Sequence, residues 1–182
     1  LPMLLGHIRS ALRGVYPAEI RGPESTEPEL ALLYCLDDNA MGKPFRARIG
    51  YLPRAAADTK FVQSFPPLLQ KLYVNLHDGF TDEISRGNAG IHRVGSFCTP
   101  GEFDDVGSDW EFYSDDDDEF LLSEAEWPDL NQLVEICSDG ARNRVCVDIS
   151  NGEGWGWKWA GSELTRSRTG LWRYIDDCIR FL

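Results

Sequence analysis

The sequence lacks any apolar run of the roughly 20 residues that a membrane-spanning helix needs. It also lacks the common catalytic and cofactor motifs, since no CxxC, HExxH, GxSxG, GxxxxGK or helix-opening GxGxxG occurs. The 5 cysteines are widely spaced and the histidines number only 3, which indicates reduced core thiols rather than a zinc site. We therefore expect a soluble, cytoplasmic protein with no cofactor, no metal and no catalytic residues.

The chain is long enough to bury one sizeable core, and its composition is that of a globular protein. It has 182 residues, of which 42% are hydrophobic and 26% charged. A single domain over residues 1–182 is therefore predicted. The formal net charge of -12 would repel a polyanion, so nucleic acid and acidic membranes are not expected partners.

Basic residues are missing from the stretch between Val94 and Ala141, which contains neither Lys nor Arg. This stretch carries 15 of the 30 acidic residues, so its formal charge is -15 and that of the remaining chain is +3. Consecutive aspartates repel one another unless water and salt screen them, and therefore this acidic stretch is expected to be exposed. One region accounts for the whole charge imbalance.

Three interpretations of the acidic stretch compete. It could be a solubilising loop, as charge runs often are. It could bind calcium, although DDDDEF lacks the alternating ligand spacing of a helix-loop-helix site. The aromatic residues among the acids favour a protein-binding surface, because aromatic side chains supply affinity and charges supply steering. The predicted partner-binding residues are Asp104, Asp105, Asp109, Trp110, Glu111, Tyr113, Asp115, Asp116, Asp117, Asp118 and Glu119.

Hydrophobic periodicity predicts an α+β fold, with helices near both termini and a mainly antiparallel sheet. The first 60 residues are predicted to form a helix that Gly14 ends, a proline-rich loop over residues 17–29, and a hairpin of ELALLYCL and PFRARIGYL. A second helix begins at Pro66–Pro67 and ends at Gly79. A brief strand is predicted around Arg93 to Cys98.

The last third of the chain predicts three strands and a closing helix. LNQLVEIC, NRVCVDIS and GWGWKWA are separated by the turn-forming SDGARN and NGEG. An apolar stripe from Leu171 to Leu182 marks the C-terminal helix. Trp155, Trp157 and Trp159 alternate in the third strand, so they are expected to share one face, either in the core or as an exposed stacking surface.

These patterns resemble the SUKH superfamily, whose yeast cell-wall-synthesis-regulator-like domains are abundant among bacterial toxin immunity proteins. The resemblance lies in PPLLQKLYVNLHDGF, the acidic middle and LVEICSDGARNRVCVDISNGEGWGWKW, and it spans residues 65–159. It implies a single α+β domain without enzymatic activity that binds and neutralises a cognate toxin. Many such toxins are nucleases with basic substrate surfaces, so an acidic inhibitor suits them.

Two other functions compete with the immunity protein. A regulatory or scaffold module that binds a host protein would share the same sequence features. A hydrolase could use Cys98 with His77 or His92 and a nearby carboxylate. His77 and Asp78 are neighbours in sequence, and therefore their side chains are expected to point in different directions rather than form a dyad.

Overall fold

The computed structural model describes residues 2–21, 27–38, 43–53, 62–82, 89–102, 110–115, 120–141, 143–150, 155–167 and 170–180. Its helices are α1 (Pro2–Ala11), α2 (Pro67–Lys71) and α3 (Leu171–Arg180), and α2 continues as a π-helical turn over Leu72–Leu76. Its strands are β1 (Leu12–Ile20), β2 (Glu29–Asp38), β3 (Lys43–Tyr51), β4 (Phe80–Asp82), β5 (Ala89–Ile91), β6 (Glu111–Ser114), β7 (Phe120–Leu121), β8 (Leu133–Asp139), β9 (Asn143–Asp148), β10 (Gly156–Ala160) and β11 (Glu163–Ser167).

The eleven strands in the described part of the chain belong to one sheet, in the order β1-β2-β3-β4-β5-β8-β9-β10-β11-β6-β7. Every neighbouring pair is antiparallel except β11 and β6, which run parallel from Glu163 opposite Glu111. The mainly antiparallel α+β fold is therefore confirmed. None of the described helices has the length and apolar character that crossing a membrane would require.

The sheet has an apolar cluster on each face. Val145 and Val147 lie in one cluster and Cys146 between them lies in the other, because side chains alternate along a strand. The first cluster contains the apolar sides of α2 and α3. The second consists of Phe112, Leu122, Leu133, Cys146, Trp157, Trp159 and Leu164.

The N-terminal region differs from the prediction in two respects. The helix ends at Ala11 rather than at Gly14, because Leu12 already pairs with Leu36 of β2. Gly14 instead follows a register shift in the β1–β2 ladder, a position that suits a residue without a side chain. The predicted loop is also wrong over Pro17 to Ile20, which belong to β1, and an edge strand tolerates a proline that a central strand would not.

The predicted strand around Arg93 to Cys98 is also wrong. Residues 94–96 form a 3-10 turn, in which Ser96 N donates to Arg93 O at 2.9 Å. The chain is hydrogen-bonded to β8 on both sides of this turn. His92 N donates to Ile136 O before the turn, and Cys98 O accepts from Glu135 N after it. Sequence reasoning missed several short strands, among them β5, where Gly90 has a φ of 117° and little room for a Cβ.

The predicted hairpin, the three later strands and the C-terminal helix are confirmed as β2–β3, β8–β9–β10 and α3. Of the three alternating tryptophans, Trp157 and Trp159 are buried and Trp155 is half-buried just before β10. This burial contradicts an exposed stacking surface. Trp157 and Trp159 lie in the second apolar cluster together with Phe112 of β6.

Candidate functional site

The predicted partner-binding residues lie at one edge of the sheet, as far as the structure describes them. Trp110, Glu111, Tyr113 and Asp115 are in or beside β6. The remaining predicted positions lie outside the described residues; they are Asp104, Asp105, Asp109, Asp116, Asp117, Asp118 and Glu119. We call the described residues 110–115 and 120–127 the acidic edge.

Aromatic side chains anchor the acidic edge to the core. Trp110 is half-buried with its ring 5.2 Å from that of Trp159, and Phe112 is buried in the second apolar cluster. The ring of Trp127 lies 4.7 Å from that of Phe112, and its Nε1 donates to Leu122 O at 3.3 Å. Three aromatic residues of the acidic stretch, Trp110, Phe112 and Trp127, therefore hold this part of the chain against the sheet.

The first aspartate of the four-aspartate run is held by α3. Asp115 Oδ2 accepts a hydrogen bond from Tyr174 Oη at 2.6 Å and pairs with Arg173. Its backbone N donates to Arg166 O at 3.1 Å. Burial, with the Asp115 carboxylate beside it, raises the pKa of the Tyr174 hydroxyl. Asp115 is therefore held against α3 and β11 at the end of β6.

The outer surface of the acidic edge combines exposed apolar and acidic side chains. Phe120, Leu121 and Trp127 are 46%, 62% and 44% exposed. Glu111 and Glu124 are also exposed. Large apolar side chains in this number at a sheet edge are typical of a protein interaction surface when charged groups surround them.

Glu126 has a structural role at the acidic edge. Its carboxylate accepts from Ser123 N and Ser123 Oγ, which caps the 3-10 turn over Glu124–Glu126. It also pairs with Arg166 Nη2 at 3.2 Å. The hydrogen bonds from Ser123 and the Arg166 charge lower the pKa of Glu126. Glu126 is therefore part of the scaffold that positions its exposed neighbours.

A second cluster of polar side chains surrounds Glu135 on β8. Glu135 Oε1 accepts from His92 Nε2 at 2.8 Å, and Oε2 accepts from Arg144 Nη1 at 2.8 Å. The thiol of Cys98 lies 3.6 Å from Glu135 Oε2. The bonds from His92 and Arg144 outweigh burial and lower the pKa of Glu135. This cluster lines a cavity of 380 Å³, which we call the Glu135 cavity.

The geometry of the Glu135 cavity does not activate Cys98 as a nucleophile. A nucleophilic thiol needs a base that removes its proton, or a positive environment that lowers its pKa. Here the thiol faces a carboxylate, and burial together with the Glu135 charge raises the pKa of Cys98 to about 12. His92 Nε2 bonds to Glu135 rather than to the thiol. The hydrolase hypothesis therefore lacks its central contact.

We expect Cys98 to react slowly with iodoacetamide at pH 8, because almost none of it is thiolate. Glu135→Gln removes the repelling charge, so the pKa should fall and the alkylation rate at Cys98 should rise about tenfold. Mass spectrometry of the alkylated peptides measures both rates. Cys35, also partly exposed and on β2, is the internal control and should not respond to Glu135→Gln. Equal rates at Cys98 and Cys35 in the native protein would contradict this assignment.

His77 is a neutral core histidine. Its Nδ1 bonds to Tyr51 O at 3.1 Å, so Nε2 accepts from the hydroxyl of Tyr34 at 2.8 Å. Gly50 lies against the ring, since a Cβ there would approach His77 Cε1 to 2.5 Å. Burial lowers the pKa of His77. His77 therefore has a packing role, and it turns away from Asp78 as expected.

The lowered pKa of His77 makes stability depend on pH. The unfolded chain takes up a proton near pH 6.5 and the folded chain only at lower pH. The stability that the neutral His77 side chain contributes is therefore complete above pH 6.5. Below pH 6.5 the free energy of unfolding decreases, by at most about 1.4 kcal/mol per pH unit. Urea unfolding at pH 7.5 and 5.5 should show a smaller pH effect for His77→Gln than for the native chain. Identical pH effects in the two proteins would contradict a contribution of His77 to this pH dependence.

Asp78 and Arg93 form an ion pair beside the Glu135 cavity in which the carboxylate is fully buried. The Asp78 side chain is 0% exposed, and it accepts from Val94 N at 2.8 Å and Arg93 Nη2 at 3.3 Å. Arg93 also donates to both oxygens of Glu29, at 2.7 and 2.5 Å. Its guanidinium carbon lies 4.0 Å from the centre of the Tyr51 ring. The pair ties β2 and β3 to the turn over residues 94–96.

Sequence reasoning missed Glu135, Arg144 and Arg93 as partners in one site. The available signal was a charged residue inside an apolar strand, as in LVEIC and NRVCVD, since a buried charge needs a partner. Across the described ranges, no group of three or more His, Cys, Asp or Glu side chains is placed to hold a metal ion. Calcium binding by residues 116–119 falls outside those ranges.

No family model, curated protein or solved structure matches the chain. Membership of the SUKH superfamily therefore stays a prediction from the sequence resemblance over residues 65–159.

Proposed function

We propose that this chain is a protein-binding inhibitor of the immunity type, which neutralises a basic toxin through the acidic edge. The observation that carries the proposal is the exposure of Phe120, Leu121 and Trp127 beside Glu111 and Glu124. Apolar anchors give a complex its lifetime, and the surrounding carboxylates select a basic partner and accelerate its approach.

Charge placement supports a cationic partner. The acidic edge lies inside the stretch of the chain that carries a formal charge of -15. Two basic side chains next to it, Arg166 and Arg173, pair with Glu126 and Asp115. Their charges offset carboxylates of the scaffold, while Glu111 and Glu124 face solvent. The field at this edge is therefore negative and favours a basic surface.

Rigidity supports binding as well. β6 is hydrogen-bonded into the sheet beside β11, and Trp127 and Asp115 are held by the contacts described above. A surface whose anchors are already ordered loses little conformational entropy on binding. The edge can therefore present its exposed side chains in a fixed arrangement.

A pull-down from lysate of the source organism, at low and at high salt, tests the proposal. The bait is the native chain, the acidic-edge variant Glu111→Lys/Glu124→Lys, or the control Glu19→Lys, which reverses an exposed charge on β1 at the other end of the sheet. We expect the native and control baits to retain one basic protein at low salt. The acidic-edge variant should retain about tenfold less of that protein, because the charges that attract a basic surface are reversed.

Co-expression then separates an immunity protein from another binding module. The captured protein should arrest growth when expressed alone, and the native chain should restore growth. Capture of the same proteins by the acidic-edge variant, or of acidic proteins only, would contradict binding through this edge. A captured protein that leaves growth unaffected would contradict the immunity role and keep the binding role. Recovery of no specific protein would contradict both.

A further inference from the structure

The Glu135 cavity is a second candidate site, on a part of the fold that the proposed function does not use. Its volume of 380 Å³ lies within the range of small-molecule pockets. Hydroxyl-bearing and charged side chains dominate its lining, together with Cys98, Gly140 and Ala141. The hydroxyl-bearing residues are Tyr51, Thr81, Ser96 and Ser138, and the charged or titratable ones are His92, Arg93, Glu135 and Arg144.

Two guanidinium groups stand in fixed orientations in the wall of this cavity. Arg144 lies 4.6 Å from the centre of the Trp159 ring and pairs with Glu135, and its side chain remains 31% exposed. Arg93 lies over the Tyr51 ring and pairs with Asp78 and Glu29. A ring on one side and a carboxylate at one edge restrict the rotation of each group. Guanidinium groups held in this way are suited to carboxylate and phosphate oxygens.

Guanidinium and hydroxyl groups, rather than carboxylates, dominate the polar lining. Among the described lining residues Glu135 is the one carboxylate, and its two oxygens accept from His92 and Arg144. Asp78 and Glu29 pair with Arg93 from outside the lining and offset much of its charge. Asp82, next to Thr81 in the sequence, pairs with Arg48 at 3.6 Å. An entering anion would therefore interact mainly with Arg144, whose side chain is 31% exposed.

We propose that the Glu135 cavity binds a small hydroxylated organic anion, with its carboxylate or phosphate group at Arg144 and Arg93. The hydroxyl groups of Thr81, Ser96 and Ser138 would then face the hydroxyls of the ligand. This chemistry is shared by sugar acids and sugar phosphates. The proposal does not depend on the acidic edge, which lies at the end of the sheet beyond β11.

Isothermal titration calorimetry with three probes tests the proposal: D-gluconate, D-glucose 6-phosphate and neutral D-glucose. We expect saturable binding of at least one anionic probe and at least about tenfold weaker binding of glucose, since a bond to a charged group is lost. A preference for gluconate assigns a carboxylate to the site, and a preference for glucose 6-phosphate assigns a phosphate. Inorganic phosphate as a fourth titrant shows whether the polyol contributes.

Two substitutions of Ala141, at the edge of the cavity, test whether the probe binds there and leave the ion pairs of the lining in place. Ala141 is exposed and lines the cavity, so Ala141→Glu and Ala141→Lys place long side chains of opposite charge there. We expect Ala141→Glu to weaken the anionic probe about threefold or more and Ala141→Lys to tighten it. Arg144→Gln should weaken it about tenfold, with folding checked by circular dichroism. If no probe binds, if glucose binds as well as the anions, or if both Ala141 variants bind like the native chain, the proposal is wrong.

Discussion

Arg93→Ala is expected to lower the free energy of unfolding by about 3–5 kcal/mol, because it leaves the carboxylate of Asp78 buried without its cation. The Asp78 side chain is 0% exposed, and after the substitution it would keep the hydrogen bond from Val94 N but lose both contacts with the guanidinium group. The substitution also removes the contact with the Tyr51 ring and both bonds to Glu29. Urea unfolding monitored by tryptophan fluorescence measures the loss.

Arg13→Ala is the matched control for this experiment. Arg13 also pairs with a carboxylate, that of Asp37 at 2.6 Å, but its side chain is 69% exposed. Water and salt screen an exposed pair of this kind, so this variant should unfold almost as the native chain does. Similar losses from the two variants would show that burial of Asp78 does not control the stability of this region.

The double variant Arg93→Met/Asp78→Leu separates the charge from the packing. If the loss in Arg93→Ala comes from an uncompensated buried charge, removal of both charges should recover a large part of it. A double variant that is less stable than Arg93→Ala would assign the loss to the geometry of the pair instead. The turn over residues 94–96 depends on that geometry, because Asp78 Oδ1 accepts from Val94 N.

Elements with strong local patterns could be predicted from the sequence. β8, β9 and β10 follow apolar runs separated by turn residues, and α3 follows an apolar stripe. In these segments the local sequence pattern and the tertiary contacts favour the same secondary structure. The local pattern alone therefore predicts the strand or helix that the fold contains. The hairpin of β2 and β3 is predictable for the same reason.

Elements that depend on distant partners could not be predicted. Leu12 to Ile20 contains a glycine and a proline and becomes a strand because the whole of β2 pairs with it. β6 lies within an acidic stretch and joins the sheet as the parallel neighbour of β11, about 50 residues later in the chain. Neither pairing leaves a local signal, since tertiary contacts override propensity here.

The two candidate sites differ in the same way, since the sequence predicts one of them and not the other. The acidic edge is predictable as a candidate, because its acidic and aromatic residues lie close together in the sequence. The Glu135 cavity combines side chains from the 92–98 turn, β8 and β9, whose contact depends on how the sheet is assembled. Sequence spacing alone does not bring Cys98, Glu135 and Arg144 together.

Trp157→Ala is expected to lower the free energy of unfolding by about 3–5 kcal/mol, since it removes one of the two buried tryptophans of the second apolar cluster. Trp157 is 1% exposed. Trp157→Phe should cost much less than Trp157→Ala, because it keeps a ring and removes an Nε1 for which the described residues provide no acceptor. Thermal and urea unfolding measure both changes.

Trp127→Ala is the matched surface variant, and the comparison separates the core from the acidic edge. Trp127 is 44% exposed, so its loss should cost about 1 kcal/mol of stability, and it should weaken capture of the basic partner about tenfold or more if Trp127 is an anchor of that complex. Trp157→Phe should retain that capture, because its side chain does not reach the surface. If Trp127→Ala unfolds as readily as Trp157→Ala and binds the partner normally, Trp127 is a core residue. The aromatic part of the acidic edge would then serve folding alone, and the carboxylates of Glu111 and Glu124 would have to carry the interaction.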